Sequence, residues 1–293
     1  MINAFLTILP PFLIIIVGYI FGRIFPYDIK IISKISLWIM ASVLSFTFIN
    51  DYPPKLSYLK SYGLGILFLF ILFYILSFAF KKDRFLILTN SIYINTGYLG
   101  YPILYSIWGE QAMSYGVIYS VINMLVASIV LPSFIGEKIN FKNILKLPYL
   151  YVITFAYLLS IFGISYKQLP VPFLETINML KNSAIPFLLI FTGLSLSKIK
   201  IKSVNFYTVI FSTIIRLILY PVFALIFVFF SKMDNEFARV FVLESAMPTA
   251  INSVILIDAI TGDASKISLT VAITTLLSAF TIPVWIIVLE RIL

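Results

Sequence analysis

Two short stretches concentrate the polar and helix-breaking residues of an otherwise apolar chain. One holds Asn90-Ser91 and then Asn95-Thr96-Gly97-Tyr98-Leu99-Gly100-Tyr101-Pro102; the other reads Glu244-Ser245-Ala246-Met247-Pro248-Thr249-Ala250-Ile251-Asn252-Ser253. Gly and Pro weaken a helix interior, and Pro also removes a backbone hydrogen bond. A break exposes the N-terminal end of a half-helix, with free N–H groups and a partial positive charge. Such an end attracts an anion without a buried Lys or Arg. Asn95, Thr96, Thr249 and Asn252 can add neutral donors, while Gly97, Pro102 and Pro248 make the interruptions. The plainer reading of each stretch is a proline kink with small polar residues joining helices.

Other chemistries lack their residues. The chain has no Cys and no His, so thiolate nucleophiles, disulfides and cysteine metal sites are out, as are the commonest general base and metal ligand. The sequence calls for no cofactor and no metal. Four charged residues fall in or near apolar runs: Glu244, Asp258, Arg216 and Lys181. A charge at the bilayer centre costs several kcal/mol unless it is paired or wet. Glu244 reads either as a proton-coupling carboxylate or as an interfacial residue. Asp258, ten residues beyond Pro248, reads as interfacial. Arg216 either offsets substrate charge or pairs with a carboxylate and fixes packing. Lys181 is expected to snorkel towards a surface.

These stretches must be positioned by membrane helices. Of 293 residues, 61% are hydrophobic and only 11% charged, too few charges for a water-facing surface of this size. With about 20 apolar residues per span, the length holds about ten spans and no separate soluble domain. Apolar runs broken by charge give Asn3–Gly22, Ile31–Ile49, Tyr58–Phe80, Phe85–Trp108, Met113–Ile135, Tyr149–Ser165, Val171–Leu196, Asn205–Phe230, Phe237–Ile260 and Ile267–Leu289. The first run has neither a basic n-region nor a small-residue cleavage site, so it reads as a retained helix. The net charge of +9 fits basic loops at a membrane better than nucleic-acid binding.

Basic residues vote on orientation. Connections after odd-numbered spans carry Arg23, Lys30, Lys34, Lys81, Lys82, Arg84, Lys138, Lys142, Lys146, Lys198, Lys200, Lys202 and Lys266, thirteen in all. The other side carries six: Lys55, Lys60, Lys167, Lys232, Arg239 and Arg291. The positive-inside rule places the odd connections in the cytoplasm and both termini outside the cell membrane.

The chain also repeats itself. Ile107-Trp108-Gly109-Glu110 matches Ile260-Thr261-Gly262-Asp263, and each precedes a span ending in an apolar residue and Pro, Leu131-Pro132 or Ile282-Pro283. The glycines stand 153 residues apart and the prolines 151. Halves of five spans, residues 1–140 and 141–293, would enter the membrane in opposite senses. Inverted repeats of this kind are a recurrent design of secondary transporters, with the site near the midplane at interrupted helices.

At these residues the chain resembles the auxin efflux carrier family. Asn95-Thr96-Gly97-Tyr98-Leu99-Gly100-Tyr101-Pro102-Ile103-Leu104 is similar to its fourth-helix pattern, and Ala246-Met247-Pro248-Thr249-Ala250 to its ninth-helix Ala-Leu-Pro segment. Arg216 with Pro221, Ala184 to Gly193, and Leu44-Ser45-Phe46 with Phe48-Ile49 resemble the eighth, seventh and second helices. The resemblance spans essentially the whole chain. It implies an all-α crossed-helix fold like that of bile-acid and sodium/proton carriers, with a scaffold bundle of helices 1, 2, 6 and 7 and a transport bundle of helices 3–5 and 8–10. It further implies movement of an organic anion such as auxin, malonate or malate by an elevator-like motion. Asn95, Ser45 and Asn123 would line the site, and a homodimer would form through the scaffold, with Trp38 or Phe191 at its surface. This chain departs from the family at Ser42 and Ser253, where relatives carry Pro, and it has only the short connection Gly136 to Pro148 in place of the long plant loop. The plant substrate is therefore not carried over.

Rival readings remain. An intramembrane enzyme would need a nucleophile–base pair or a metal, which the composition disfavours. A sodium- or proton-coupled antiporter or symporter of the same fold would favour adjacent carboxylates, but Glu244 and Asp258 are isolated in sequence. A sensor without transport would share every feature above.

Overall fold

A computed structural model describes residues 2–134, 148–199, 204 and 206–293. Among these the regular secondary structure is helical, apart from one isolated β-bridge. The helices are α1 (Ile2–Ile24), α2 (Ile29–Asp51), α3 (Leu56–Ser77), α4 (Arg84–Ile92), α5 (Tyr101–Phe134), α6 (Pro148–Ile161), α7 (Val171–Ser197), α8 (Phe206–Ser231), α9 (Asn235–Ser245), α10 (Asn252–Thr261) and α11 (Ser265–Ile292). A π turn, Thr96–Gly100, leads into α5. The end of the fifth expected span, the connection up to Leu147 with Lys138, Lys142 and Lys146, and Lys200, Lys202 and Asn205 lie outside the described residues, as does the boundary expected between 140 and 141.

Seven helical stretches among the described residues are long and apolar enough to cross a membrane: α1, α2, α3, the run Thr96–Ile129, α7, α8 and α11. The remaining expected segments are short or interrupted, because at 1.5 Å per residue a helix of nine to fourteen residues cannot reach across about 30 Å of hydrocarbon. α4 has nine residues, α9 eleven, α10 ten and α6 fourteen. The long run from Thr96 is itself divided at Gly109, where φ is +77° and ψ is −159°. A side chain is strained there, so glycine allows the chain to turn.

α1 packs most extensively on α7, and the second half of α2 packs on α6. The α1–α7 contact depends on small residues. A Cβ on Gly18 would meet the Ile190 backbone, and one on Gly193 the Ile15 carbonyl, so the two backbones touch directly. Aromatic rings fill the other core: Tyr62 stacks on Phe237 at 3.7 Å and meets Tyr119 edge-on at 5.7 Å. Leu, Ile and Phe are exposed all along the outer helices, Phe230 by 84%, as expected for a lipid-facing surface. Phe191 does not join that surface: it is buried edge-on against Tyr98 at 4.9 Å, whereas Trp38 is exposed.

Candidate binding site at the helix crossing

The interruption after α4 and the one between α9 and α10 meet. The Asn95 N–H donates to the Pro248 carbonyl at 2.8 Å, and the Ala250 N–H donates to the Tyr93 carbonyl at 2.8 Å. Ile94 and Thr249 therefore form an antiparallel bridge. Helix breaks leave backbone groups that lipid cannot satisfy, and here the two breaks satisfy each other. The Thr249 N–H adds a bond to Thr274 Oγ1 of α11 at 3.3 Å. The Thr249 hydroxyl donates to Asn90 Oδ1, and Asn90 Nδ2 donates to the Ser212 carbonyl at 2.7 Å.

On one side of the crossing lie the C-terminal ends of α4 and α9. Arg216, fully buried on a π turn of α8, serves both. Its Nη1 donates to the Ser91 carbonyl at 3.0 Å and its Nη2 to the Ser245 carbonyl, while the guanidinium lies 4.0 Å over the Tyr220 ring. The last carbonyls of a helix lack intrahelical partners and carry a partial negative charge, which a guanidinium satisfies on both counts. Among the described residues no carboxylate stands within 4.0 Å of it. Backbone carbonyls thus stand where a carboxylate partner was expected for Arg216.

The other side holds the restarts, Thr96 on the π turn and Asn252 on α10. A cavity of about 140 Å³ opens there, lined by Ser45 of α2, by Asn95, Thr96, Gly97, Tyr98 and Tyr101, by Ser120 and Asn123 of α5, and by Ala250 and Asn252. At roughly 30 Å³ per water, that is room for about four or five waters. Among the described residues, Asp, Glu, Lys and Arg are absent from its lining. Nothing lies within 4 Å of where a Cβ on Gly97 would be, so a ligand can approach the backbone there. Asn123 Nδ2 donates to the Ile92 carbonyl at 2.9 Å, which closes the end of α4 and fixes the amide beside the cavity. Asn252 also lines a larger cavity of about 600 Å³, together with Lys30, Lys34, Lys198 and Asp258.

The expected site residues thus separate. Asn95, Thr96, Gly97, Ser45, Asn123 and Asn252 share the cavity wall. Pro248 and Thr249 build the bridge, and Pro102 is buried early in α5, where its carbonyl accepts from Ser106. Asp258 is exposed in the larger cavity. Glu244 is fully buried. Lys181 pairs with Glu110 at 2.8 Å, with 15% of its own side chain and 32% of its partner's exposed. Sequence reasoning missed Tyr98, Tyr101 and Ser120. The first two lie inside the interrupted motif itself, and Ser120 stands three residues before Asn123, on the same helix face.

The fold and the crossing define an integral, multi-pass membrane protein. Residues 134–286 match the family described as membrane transport protein, about half of the chain. The chain belongs to this family, that of the auxin efflux carriers, and is a membrane transporter. It is 28% identical to an uncharacterized transporter of Methanocaldococcus jannaschii, over 93% of this chain and 94% of that protein.

Proposed function

We propose that this transporter is a secondary carrier of a small carboxylate anion. The observation that carries the reading is the neutral cavity at the crossing. Two half-helix restarts, three amide side chains and several hydroxyls surround it, with no charged residue among the described ones. Partial positive charge and hydrogen-bond donors stabilise an anion there. Without a cation at the centre the anion is held modestly and released readily, as a carrier requires. The volume favours a small acid.

The protein would act by alternating access in an elevator-like motion of a transport bundle, spans 3–5 and 8–10, against a scaffold of spans 1, 2, 6 and 7. Ten spans in two inverted halves, before and after about residue 140, fit the reciprocal bonding of the breaks. Ile94 and Thr249 are 155 residues apart and Ser91 and Ser245 are 154 apart, close to the spacing of the glycine motifs. The basic side, where the larger cavity opens, would be cytoplasmic, with both termini outside and a scaffold-mediated homodimer in the cell membrane.

The test is binding and flux of malonate and malate in proteoliposomes. Asn95→Ala should weaken binding about ten- to a hundred-fold, the loss of a donor to a charged group worth roughly 1.5–3 kcal/mol. Thermal stability should change little, because Asn95 lines a cavity. Normal binding by both Asn95→Ala and Asn252→Ala, for an anion the wild type carries, would remove the crossing as the site.

A further inference from the structure

Glu244 stands at the end of α9, immediately before Ser245, whose carbonyl Arg216 holds. Its side chain is fully buried, and neither Oε1 nor Oε2 has a hydrogen-bond partner. Two glycines make its space. A Cβ on Gly100 would lie 2.5 Å from Oε2, and one on Gly116 would lie 2.9 Å from Oε1.

The groups around it are committed elsewhere. From α3, Tyr62 donates to the Phe237 carbonyl at 2.9 Å; from α5, Tyr119 bonds Ser245 Oγ at 2.9 Å. Tyr101 faces the binding cavity. From α8 come Arg216, spent on two carbonyls, and Tyr220 beneath its guanidinium. α11 faces the crossing with Thr274, which does not titrate in water. Arg239, on α9 itself, lies in a separate cavity with Trp108 and Glu236. Among the described residues, Glu244 therefore has no cation within 4.0 Å. A bare carboxylate in such a place is strongly unfavourable, whereas the protonated acid carries no net charge.

The position also touches the anion site. Gly116, against the carboxyl, is one helical turn from Ser120 in the cavity wall, and Gly100 adjoins Tyr101 in the same wall. An anion in the cavity and a carboxylate on Glu244 would be like charges one side-chain layer apart in a medium of low dielectric. Binding of the anion and binding of a proton therefore favour each other, and by linkage the effect is reciprocal. Other acids are differently placed: Asp51, Asp83 and Glu110 are paired with lysines, and Asp258 is exposed.

We propose that Glu244 carries a proton through the transport cycle, so that the anion moves as a symport with one proton. This rests on the anion-carrier reading. Water at one face supplies the proton, water at the other receives it, and nothing is oxidised or reduced.

Proteoliposomes loaded with the pH dye pyranine test the coupling, with radiolabelled malonate as probe. Wild type should acidify the lumen as malonate enters, one proton per malonate, and Glu244→Gln should bring the ratio to none. Malonate entry without acidification in wild type, or an unchanged ratio in Glu244→Gln, overturns the proposal. Infrared spectroscopy of the full chain in phosphatidylglycerol vesicles separates this from failure of the carrier reading. A deuterium-sensitive carboxyl C=O band should be present in wild type and missing in Glu244→Gln. If malonate does not enter, the carrier reading fails; absence of that band then also overturns the proton assignment, and its presence supports it.

Discussion

The two sides of the crossing are built from the same helix breaks yet are chemically opposite. Around the C-terminal ends of α4 and α9 the interior is closed and carries the fully buried Arg216 and Glu244. The smaller cavity at the restarts is open and polar, and among the described residues no charged side chain lines it. Backbone polarity explains the division. The carbonyl ends need a cation, and Arg216 supplies one to both. The N-terminal restarts, at Thr96 and Asn252, line the neighbouring cavity instead. Arg216 thus sits where it holds the crossing together, and the cavity at the restarts presents dipoles and neutral polar groups.

The largest effect that would break this contrast is expected at Arg216. Arg216→Met removes two charge-assisted bonds and strands two carbonyls, at a cost of about 3–6 kcal/mol. A large fall in apparent melting temperature, read by fluorescence-detected size exclusion after heating, is expected. Arg216→Lys should recover part of the loss, since an ammonium lacks the planar fork that spans both carbonyls. If Arg216→Met melts like wild type and loses only anion binding, the arginine belongs to the ligand and the contrast collapses.

Two glycines three residues apart sharpen it further. A Cβ on Gly100 would press on the Glu244 carboxyl, whereas one on Gly97 meets open space. Gly100→Ala should destabilise by about 1–3 kcal/mol, as overpacking does. Gly97→Ala should fold as wild type and weaken malonate binding by filling the approach to the restart. Equal melting temperatures for the two variants would contradict this placement.

The smallest effect is expected away from the crossing, at Lys167. Its ammonium lies 3.0 Å from Asp51 and is 57% exposed. The hydrogen bond to Asp51 is the main cause that raises its pKa above the usual 10.5, with burial opposing. A raised lysine pKa stabilises fully below the unfolded value, and the contribution disappears as pH rises through the folded one. Exposure and salt limit it to about 0–1 kcal/mol. Lys167→Gln should therefore lower stability slightly at neutral pH and converge on wild type in strong alkali, as thermal melts across pH would show.

Composition alone determined that the chain lives in a membrane, because 11% charged residues cannot clothe a soluble protein of this length. Apolar runs located the helices, since the need to bury backbone polarity in lipid acts segment by segment. The motifs also located both breaks, because Gly, Pro and Asn act through local backbone geometry. What the sequence could not separate was role within a break. Asn95 and Thr249 look alike as donors, yet one lines the cavity and the other is spent on Asn90. Glu244 and Asp258 look alike as isolated acids, yet one is sealed behind two glycines and the other faces a wide cavity. Arg216 shows no partner in sequence because its partners are backbone carbonyls on two other helices, 125 and 29 residues away. Only the tertiary structure decides such matters, since the direction in which a side chain points at a crossing depends on two chain segments that meet in space.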